Sequence, residues 1–205
     1  MVTTPASIHP SAEVDAGVLL GQGVHVWQHS HIRAGAVVGD GTNVGRCVYL
    51  GSGVQIGARC KIQNNAQIYE PGNLADGVFI GPGVILTNDR NPRAVNPDMT
   101  KKSAEDWDVV GVSVGQGASI GAGAVCVAPV VIGSWALIAA GAVVVADVPD
   151  FGLVAGVPAR QIGWVGRSGR RLEPTVEDPS LLLCPQTHDA YRLQPNGTLV
   201  EVVSE

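Results

Sequence analysis

Aliphatic side chains recur at every sixth residue over the first 86 residues of this chain. The series is Ile8, Val14, Leu20, Val26, Ile32, Val38, Val44, Leu50, Ile56, Ile62, Ile68, Leu74, Ile80 and Leu86. A period of six is neither the 3.6-residue turn of an α-helix nor the alternation of a half-buried strand. Short strands joined by tight turns fit it, with three strands to a coil of about 18 residues and each coil paired to the next. The period therefore predicts an all-β fold, a parallel β-helix.

A second series of mostly small or β-branched residues stands four positions after the first. Its members include Ala12, Val18, Val24, Val48, Val54, Cys60, Ala66, Val78 and Val84. Aromatic residues make up only 4% of the chain, whereas Gly accounts for 27 of its 205 residues. This composition favours a narrow aliphatic interior with glycine at recurrent turns. A disordered glycine-rich chain does not explain aliphatic residues that keep one phase.

The phase breaks after Leu86 and resumes at Val114. The resumed series is Val114, Ile120, Cys126, Ile132, Ile138 and Val144. The step across the break is not a multiple of six, so residues 88–111 are expected to leave the repeat as an excursion loop. A long loop in a compact domain is usually functional, although it can also merely shield a sheet edge. We expect a β-helix domain over residues 1–165 that carries this loop.

The repeat stops after Trp164, and residues 166–205 differ in composition. The segment CPQTHDAYRLQPNGTLVEVV predicts two short strands joined by a Pro-Asn-Gly turn. We expect a small C-terminal β appendage, a β-hairpin, packed on the last coil or on a neighbouring subunit. Cys184 is its only cysteine, so no metal site is expected there.

The formal net charge of −5 argues against a general nucleic-acid-binding protein. The first residues lack the pattern of a signal peptide, and no apolar run reaches the length of a membrane-spanning helix. The four cysteines form neither a CxxC pair nor a disulfide framework. These features predict a reduced, cytoplasmic protein with neither nucleic-acid nor membrane partners.

Several hexapeptides share the order aliphatic, glycine, two variable residues, small residue, variable residue. They are LGQGVH, VGDGTN, IGPGVI, VGQGAS and IGAGAV. The pattern resembles that of the hexapeptide-repeat acyltransferases over roughly residues 8–165. The resemblance implies a left-handed parallel β-helix, whereas general crossover rules favour the right hand. It also implies a homotrimer whose active sites lie between subunits, each partly covered by the excursion loop.

Longer segments are similar to the sugar-nucleotide N-acetyltransferases. They are VWQHSHIRAG, KIQNNAQIYEPGNLADGVFIGPGVILTNDRNPR and DVPDFGLVAGVPARQIGWVG. The resemblance implies transfer of an acetyl group from acetyl-CoA to the 3-amino group of a nucleotide-linked sugar. The sugar nucleotide is either a UDP-linked glucuronic acid derivative or a dTDP-linked 3-amino-3,6-dideoxyhexose, and the sequence does not choose between them.

The resemblance assigns catalytic candidates to the start of the loop. Asn88 matches an asparagine at the reacting centre, where its amide would hold the amine or the thioester oxygen. The alternative is a structural role, in which the Asn88 side chain caps its own turn. Asp89 is a candidate base, but other relatives work without a protein base.

Substrate-binding candidates lie on the coils before the loop. Asn64, Asn65 and Tyr69 match segments that touch the nucleotide or sugar in the family, although asparagine at a tight turn is also ordinary. Glu70 is expected to fix the amine or a sugar hydroxyl.

Arg33 and Arg93 are candidate partners of the diphosphate or of a sugar carboxylate, because guanidinium binds such groups through two hydrogen bonds. His31 is expected to point outward and to line the same cleft. No histidine lies in the loop or in the later coils, where many relatives keep a general base. The same distribution excludes the three-histidine zinc site of the related γ-carbonic anhydrases.

Acetyl-CoA is expected to lie along the later coils. Ala122 and Ala140 mark small-residue positions at which its pantetheine arm could pair with backbone, and Arg160 matches a family position near the CoA phosphates.

Two alternatives stay open, namely O-acetylation of another small acceptor and a non-catalytic trimeric scaffold. The missing late histidine counts against the first, and the intact TNDRNPR and GVPARQIGW segments count against the second.

Overall fold

The computed structural model describes residues 4–202, which form 26 strands and one short 3₁₀ helix. The strands before the loop each contain two residues. They are β1 (Ser7–Ile8), β2 (Glu13–Val14), β3 (Leu19–Leu20), β4 (His25–Val26), β5 (His31–Ile32), β6 (Val37–Val38), β7 (Asn43–Val44), β8 (Tyr49–Leu50), β9 (Gln55–Ile56), β10 (Lys61–Ile62), β11 (Gln67–Ile68), β12 (Asn73–Leu74), β13 (Phe79–Ile80) and β14 (Ile85–Leu86).

The 3₁₀ helix (Ala104–Asp106) lies in the loop that follows β14. The later strands are β15 (Val112–Val114), β16 (Ser119–Ile120), β17 (Val125–Cys126), β18 (Val130–Ile132), β19 (Leu137–Ile138), β20 (Val143–Val144), β21 (Gly152–Gly156), β22 (Ala159–Trp164), β23 (Glu173–Pro174), β24 (Leu181–Leu183), β25 (Ala190–Leu193) and β26 (Leu199–Val202).

Strands β1 to β22 form three sheets, one along each face of a three-sided coil. Their orders are β1-β4-β7-β10-β13-β16-β19-β21-β22, then β2-β5-β8-β11-β14-β17-β20, then β3-β6-β9-β12-β15-β18. Each strand pairs in parallel with the strand one coil away, so Ile62 lies between Val44 and Ile80. Only the last pair, β21 and β22, is antiparallel. The predicted all-β parallel β-helix is confirmed, and its architecture is consistent with the left-handed hexapeptide-repeat class.

The core is a column of aliphatic side chains along the axis of the coil. Every position of the six-residue series from Val26 to Val144 is buried. At the start of the series Ile8 is 45% exposed, because no earlier coil covers it. Ser30 and Thr42 are the buried polar residues of the described chain, and each hydroxyl donates to a carbonyl of the following coil. The aliphatic period thus sets which side chains face inward.

A separate four-stranded antiparallel sheet, β23 to β26, follows the coil. The hairpin expected from the sequence is present as β25 and β26, and the structure adds β23 and β24 beside it. β23 and β24 lie outside the six-residue repeat, so no period marks these two- and three-residue strands in the sequence. Phe151 of the last coil packs with Tyr191 of β25, and Arg167 lies 4.9 Å from the Trp135 ring centroid. The sheet therefore packs on the last coil, and its status as a second domain stays a prediction.

No helix in the described part of the chain is long and apolar enough to cross a membrane.

Replacing Ile62 by Ala should lower the free energy of unfolding by about 2–5 kcal/mol, because it removes buried methyl and methylene groups from a close-packed column. Lys61, its neighbour in β10, is exposed and provides the matched control. Lys61→Ala should change the unfolding free energy by less than about 0.5 kcal/mol. Urea unfolding of both variants measures the difference, and equal losses would contradict the assigned inward face.

Candidate active site

The sheet formed by β2, β5, β8, β11, β14, β17 and β20 carries most of the predicted site residues, and we call it the site face. Its loop edge follows these strands and comprises residues 51–53, 69–72, 87–88 and 127–129. Its opposite edge precedes them and comprises residues 63–65, 81–83, 121–123 and 139–141. The excursion loop leaves the coil at the loop edge, immediately after β14.

A connected column of polar side chains runs up the first coils of the site face. Asp15 accepts hydrogen bonds from His31 Nε2 at 3.2 Å and from Arg33 Nε at 3.1 Å. Arg33 also donates to the Tyr49 hydroxyl at 3.4 Å. The Tyr49 ring lies 5.3 Å, between centroids, from that of Tyr69. The stacking of coils therefore joins His31 and Arg33 to the vicinity of Tyr69.

The electrostatics of this column centre on Asp15. The hydrogen bond from His31 lowers the pKa of the Asp15 carboxyl, partial burial opposes this, and Arg33 and the Ala34 amide reinforce the lowering. The pKa of Arg33 is raised, first by its hydrogen bond to Tyr49 and then by that to Asp15. Arg33 is thus held by internal partners, and an external anion would have to share it with Asp15.

The sequence reasoning missed Asp15 and Tyr49. The signal that identifies them is the spacing of one coil, because Asp15 precedes Arg33 by 18 residues and Tyr49 follows His31 by 18. Residues 18 apart lie on neighbouring coils, one directly above the other on the same face. A search for charged and aromatic residues at that spacing would have found both.

The excursion loop folds back on its own base. The Val110 amide donates to the Asn88 carbonyl at 3.4 Å, and the Asp89 carboxylate accepts from the Asn91 amide at 2.8 Å. A cleft of about 440 Å³ separates the two ends of the loop. It is lined by Asp89, Arg90, Asn91, Lys102, Asp106, Trp107, Asp108 and Val110. Arg93 is exposed, donates to its neighbour Pro92, and does not line this cleft.

Glu70 and Asn88 occupy corresponding positions on consecutive coils. Ile68 pairs with Leu86, so two further residues along each strand lead to Glu70 and Asn88. Oε2 of Glu70 is buried and has no hydrogen-bond partner among residues 4–202. The same holds for Nε1 of Trp107 in the loop. The loop edge and the adjoining loop therefore carry Tyr69, Glu70, Asn88 and Asp89, and the two unpartnered buried atoms belong to Glu70 and to Trp107 of the loop.

The other predicted residues lie apart from this group. Asn64 and Asn65 are on the opposite edge, where Asn64 Oδ1 accepts from the Arg46 amide at 2.9 Å and Asn65 has a left-handed φ of 62°. Both features belong to the turn itself. Glu70 follows Asn65 by five residues, which span at most about 18 Å when extended. The structure therefore places these asparagines across the site face from Asn88.

Small residues line the opposite edge of the later coils. Ala122 and Ala140 are exposed, and no group among residues 4–202 accepts a hydrogen bond from their amides. Arg160 lies on β22, beyond the last complete coil, and its guanidinium donates to the Ala159 carbonyl at 2.9 Å. This edge offers free backbone donors with little side chain around them.

No three His, Cys, Asp or Glu side chains within residues 4–202 are grouped so as to hold a metal ion.

Asp15→Asn should reduce the dependence of stability on acid pH. A carboxyl whose pKa is lowered by folding stabilises the protein above its unfolded pKa, near 3.8, and that contribution is lost as the pH falls further. Unfolding midpoints measured between pH 6 and pH 2 should therefore fall less steeply in Asp15→Asn than in the unaltered protein. Parallel curves for the two proteins would contradict the role given to the column.

Comparison with known proteins gives a family match over part of the coil. The family model described as bacterial transferase hexapeptide (six repeats) matches residues 35–70. No curated protein matches the chain. The acetyltransferase domain of PglB from Neisseria gonorrhoeae FA1090, solved in complex with acetyl coenzyme A, is 27% identical over 78% of this chain and 58% of its own, with a TM-score of 0.45.

Two further solved structures are similar. PerB from Caulobacter crescentus, in complex with CoA and GDP-perosamine, is 28% identical over 78% of this chain and 58% of its own, with a TM-score of 0.42. The hexapeptide-repeat acetyltransferase VCA0836 from Vibrio cholerae is 23% identical over 64% of this chain and 72% of its own, with a TM-score of 0.50. The third match supports the fold. The chain spans 58% of the length of the first two. Over residues 35–70, the repeat of this chain is therefore similar to that of the bacterial hexapeptide transferases.

Proposed function

We propose that this protein is an acetyl-CoA-dependent N-acetyltransferase that acts on the 3-amino group of a nucleotide-linked sugar. One observation carries the proposal: the coil breaks at the loop edge, where Asn88 leaves the ladder beside Glu70. A plain β-helix has flat faces, so the loop and its cleft supply the concavity that a small-molecule site needs. The site face is open on its outer side, which suits completion of the site by a neighbouring subunit in a homotrimer.

The opposite edge of the later coils suits an extended pantetheine arm. The amides of Ala122 and Ala140 are free, and their small side chains leave room for a chain close to the backbone. Arg160 at the end of the coil is available to the CoA phosphates. Acetyl-CoA, when bound, supplies the activated acetyl group, and the protein residues position it.

The sugar nucleotide would occupy the site face between its two edges. Tyr49 and Tyr69 offer adjacent rings for a base or sugar ring, since aromatic faces stack on such groups. His31 and Arg33 lie below them as donors to the diphosphate, and Arg93 extends from the loop. Asn64 and Asn65 would contact the nucleotide from the far edge.

Asn88 would supply the polar contact at the reacting centre. An amine attacks the thioester carbonyl in its neutral form, and an oxyanion develops on the carbonyl oxygen. The amide of Asn88 can donate to that oxygen, a type of contact worth a hundredfold or more in rate in other enzymes, roughly 10²–10³. Asp89 is already engaged by the Asn91 amide through one carboxylate oxygen, so its role is to shape the loop.

Thiol release from acetyl-CoA with a panel of UDP- and dTDP-linked 3-amino sugars tests the activity. Turnover with at least one member is expected, and the preferred member identifies the nucleotide and any sugar carboxylate. Turnover only with hydroxyl acceptors would favour the O-acetyltransferase alternative. No turnover, together with no calorimetric binding of CoA, would leave the trimeric scaffold as the better description.

Asn88→Ala should lower kcat at least about tenfold with little change in Tm, because the side chain contacts the developing oxyanion and not the core. Asn73→Ala is the matched control, since Asn73 is an exposed asparagine on another face of the same coil. It should leave kcat and Tm unchanged. Steady-state kinetics and thermal unfolding give both numbers, and an unchanged kcat in Asn88→Ala would remove Asn88 from the mechanism.

A further inference from the structure

The outward side chains of the site face change from polar to aliphatic at the coil that carries the loop. On the first four strands of this face they are Glu13, His31, Tyr49 and Gln67. On the last three strands they are Ile85, Val125 and Val143. The polar part is where the sugar nucleotide is proposed to lie, whereas the aliphatic part suits an apolar group. The site face therefore has two regions of different chemistry that meet at β14.

A groove of about 260 Å³ lies along the loop edge of the aliphatic region. Four apolar residues of the later coils and one residue of the loop line it. They are Val127, Ala128, Pro129, Val145 and Arg90. Arg90 is exposed, and an exposed arginine can line such a groove with its methylene groups while its guanidinium stays in water. The lining therefore suits an aliphatic chain.

The groove begins one coil above Asn88. Leu86 of β14 pairs with Cys126 of β17. Two residues further along each chain are Asn88 and Ala128. The Ala128 amide donates to the Thr87 hydroxyl at 3.0 Å, which holds this wall of the groove beside the base of the loop. Neighbouring strands of a sheet are about 5 Å apart. An acyl group whose carbonyl oxygen meets Asn88 would therefore have the groove next to it.

The groove is larger than an acetyl group needs. Acetyl offers it a single methyl group, which is similar in size to a water molecule, and a water molecule occupies about 30 Å³ in the liquid. The groove has several times that volume. An acetyl group would therefore leave most of the apolar lining in contact with solvent.

We propose that this groove binds the acyl chain of the donor, so that the protein also transfers straight aliphatic acyl groups longer than acetyl, namely propionyl and butyryl. This activity rests on the proposed N-acetyltransferase function. The amine nitrogen forms a bond to the thioester carbonyl carbon, the carbon–sulfur bond breaks, and the proton that the nitrogen loses ends on the departing sulfur. One amine and one acyl thioester give one amide and one thiol, whatever the length of the chain.

Calorimetric titration of the unaltered protein with acetyl-CoA, propionyl-CoA and butyryl-CoA tests the groove without any substitution. Burial of one methylene group strengthens binding roughly fourfold, so Kd should fall by about that factor at each step. With a sugar nucleotide that is acetylated, kcat/KM for butyryl-CoA should be no lower than that for acetyl-CoA. Thiol release measures both values.

Val145→Phe fills the groove from a position that is 50% exposed. It should lower kcat/KM for butyryl-CoA at least about tenfold more than kcat/KM for acetyl-CoA, because only the longer chain needs the filled space. Val131→Phe is the matched control, since Val131 is 54% exposed and lies on β18, on another face of the coil. It should change neither value.

Three results would overturn the assignment. They are equal Kd values for the three thioesters, equal losses for butyryl-CoA and acetyl-CoA in Val145→Phe, and a changed oligomeric mass of that variant in light scattering, which would place the groove in a subunit contact. Turnover with acetyl-CoA combined with any of these results refutes the role of the groove alone. Absence of turnover with all three thioesters refutes the proposed activity and the role of the groove together.

Discussion

The hydrogen-bonded stacking of one coil on the next is the interaction on which the rest of the structure depends. Two-residue strands are too short to persist alone, and each becomes stable only between partners one coil before and after it. Close approach of the backbones at the corners makes this pairing possible. At Gly121 an added Cβ would lie 2.5 Å from the Ala140 nitrogen, so the corner excludes any larger residue. The same stacking determines which side chains face outward and on which coil each of them lies.

A binding site on such a coil needs two features. One is a column of outward side chains on successive coils, and the other is an interruption of the coil. Outward side chains one coil apart become neighbours, which is how Asp15, His31, Arg33 and Tyr49 form one hydrogen-bonded group although they are far apart in sequence. A column alone is a flat stripe, however, and gives a ligand no enclosure. The excursion loop adds enclosure where the chain leaves the ladder. The proposed site therefore lies on the face that carries this polar column, at the long break in the period after β14.

The period of six made the fold predictable, because it states directly which side chains are buried, as at Ile62 and Val44. It also located the break near Asn88. The partners of Arg33 could not be predicted from the period of six, because hydrogen bonds between coils join residues about 18 apart and depend on which polar side chains face outward. The added strands β23 and β24 were not predicted, because they lie outside the repeat and each is too short to show a pattern of its own. The unpartnered oxygen of Glu70 could not be predicted, because it depends on side-chain contacts that the period does not specify.

The corners of the coil differ in how their backbone amides are satisfied. Asp40, Asp76 and Asp150 each accept a hydrogen bond from a corner amide of the preceding coil, whereas the corner amides of Ala122 and Ala140 have no acceptor among residues 4–202. At the corner of Glu70, one carboxylate oxygen is buried without a donor among residues 4–202, which costs stability. The cost falls beside Asn88, at the base of the loop, and not at the distant corners. Both buried side-chain atoms without a partner among residues 4–202, Oε2 of Glu70 and Nε1 of Trp107, therefore lie at the base of the loop or within it, where the coil is interrupted.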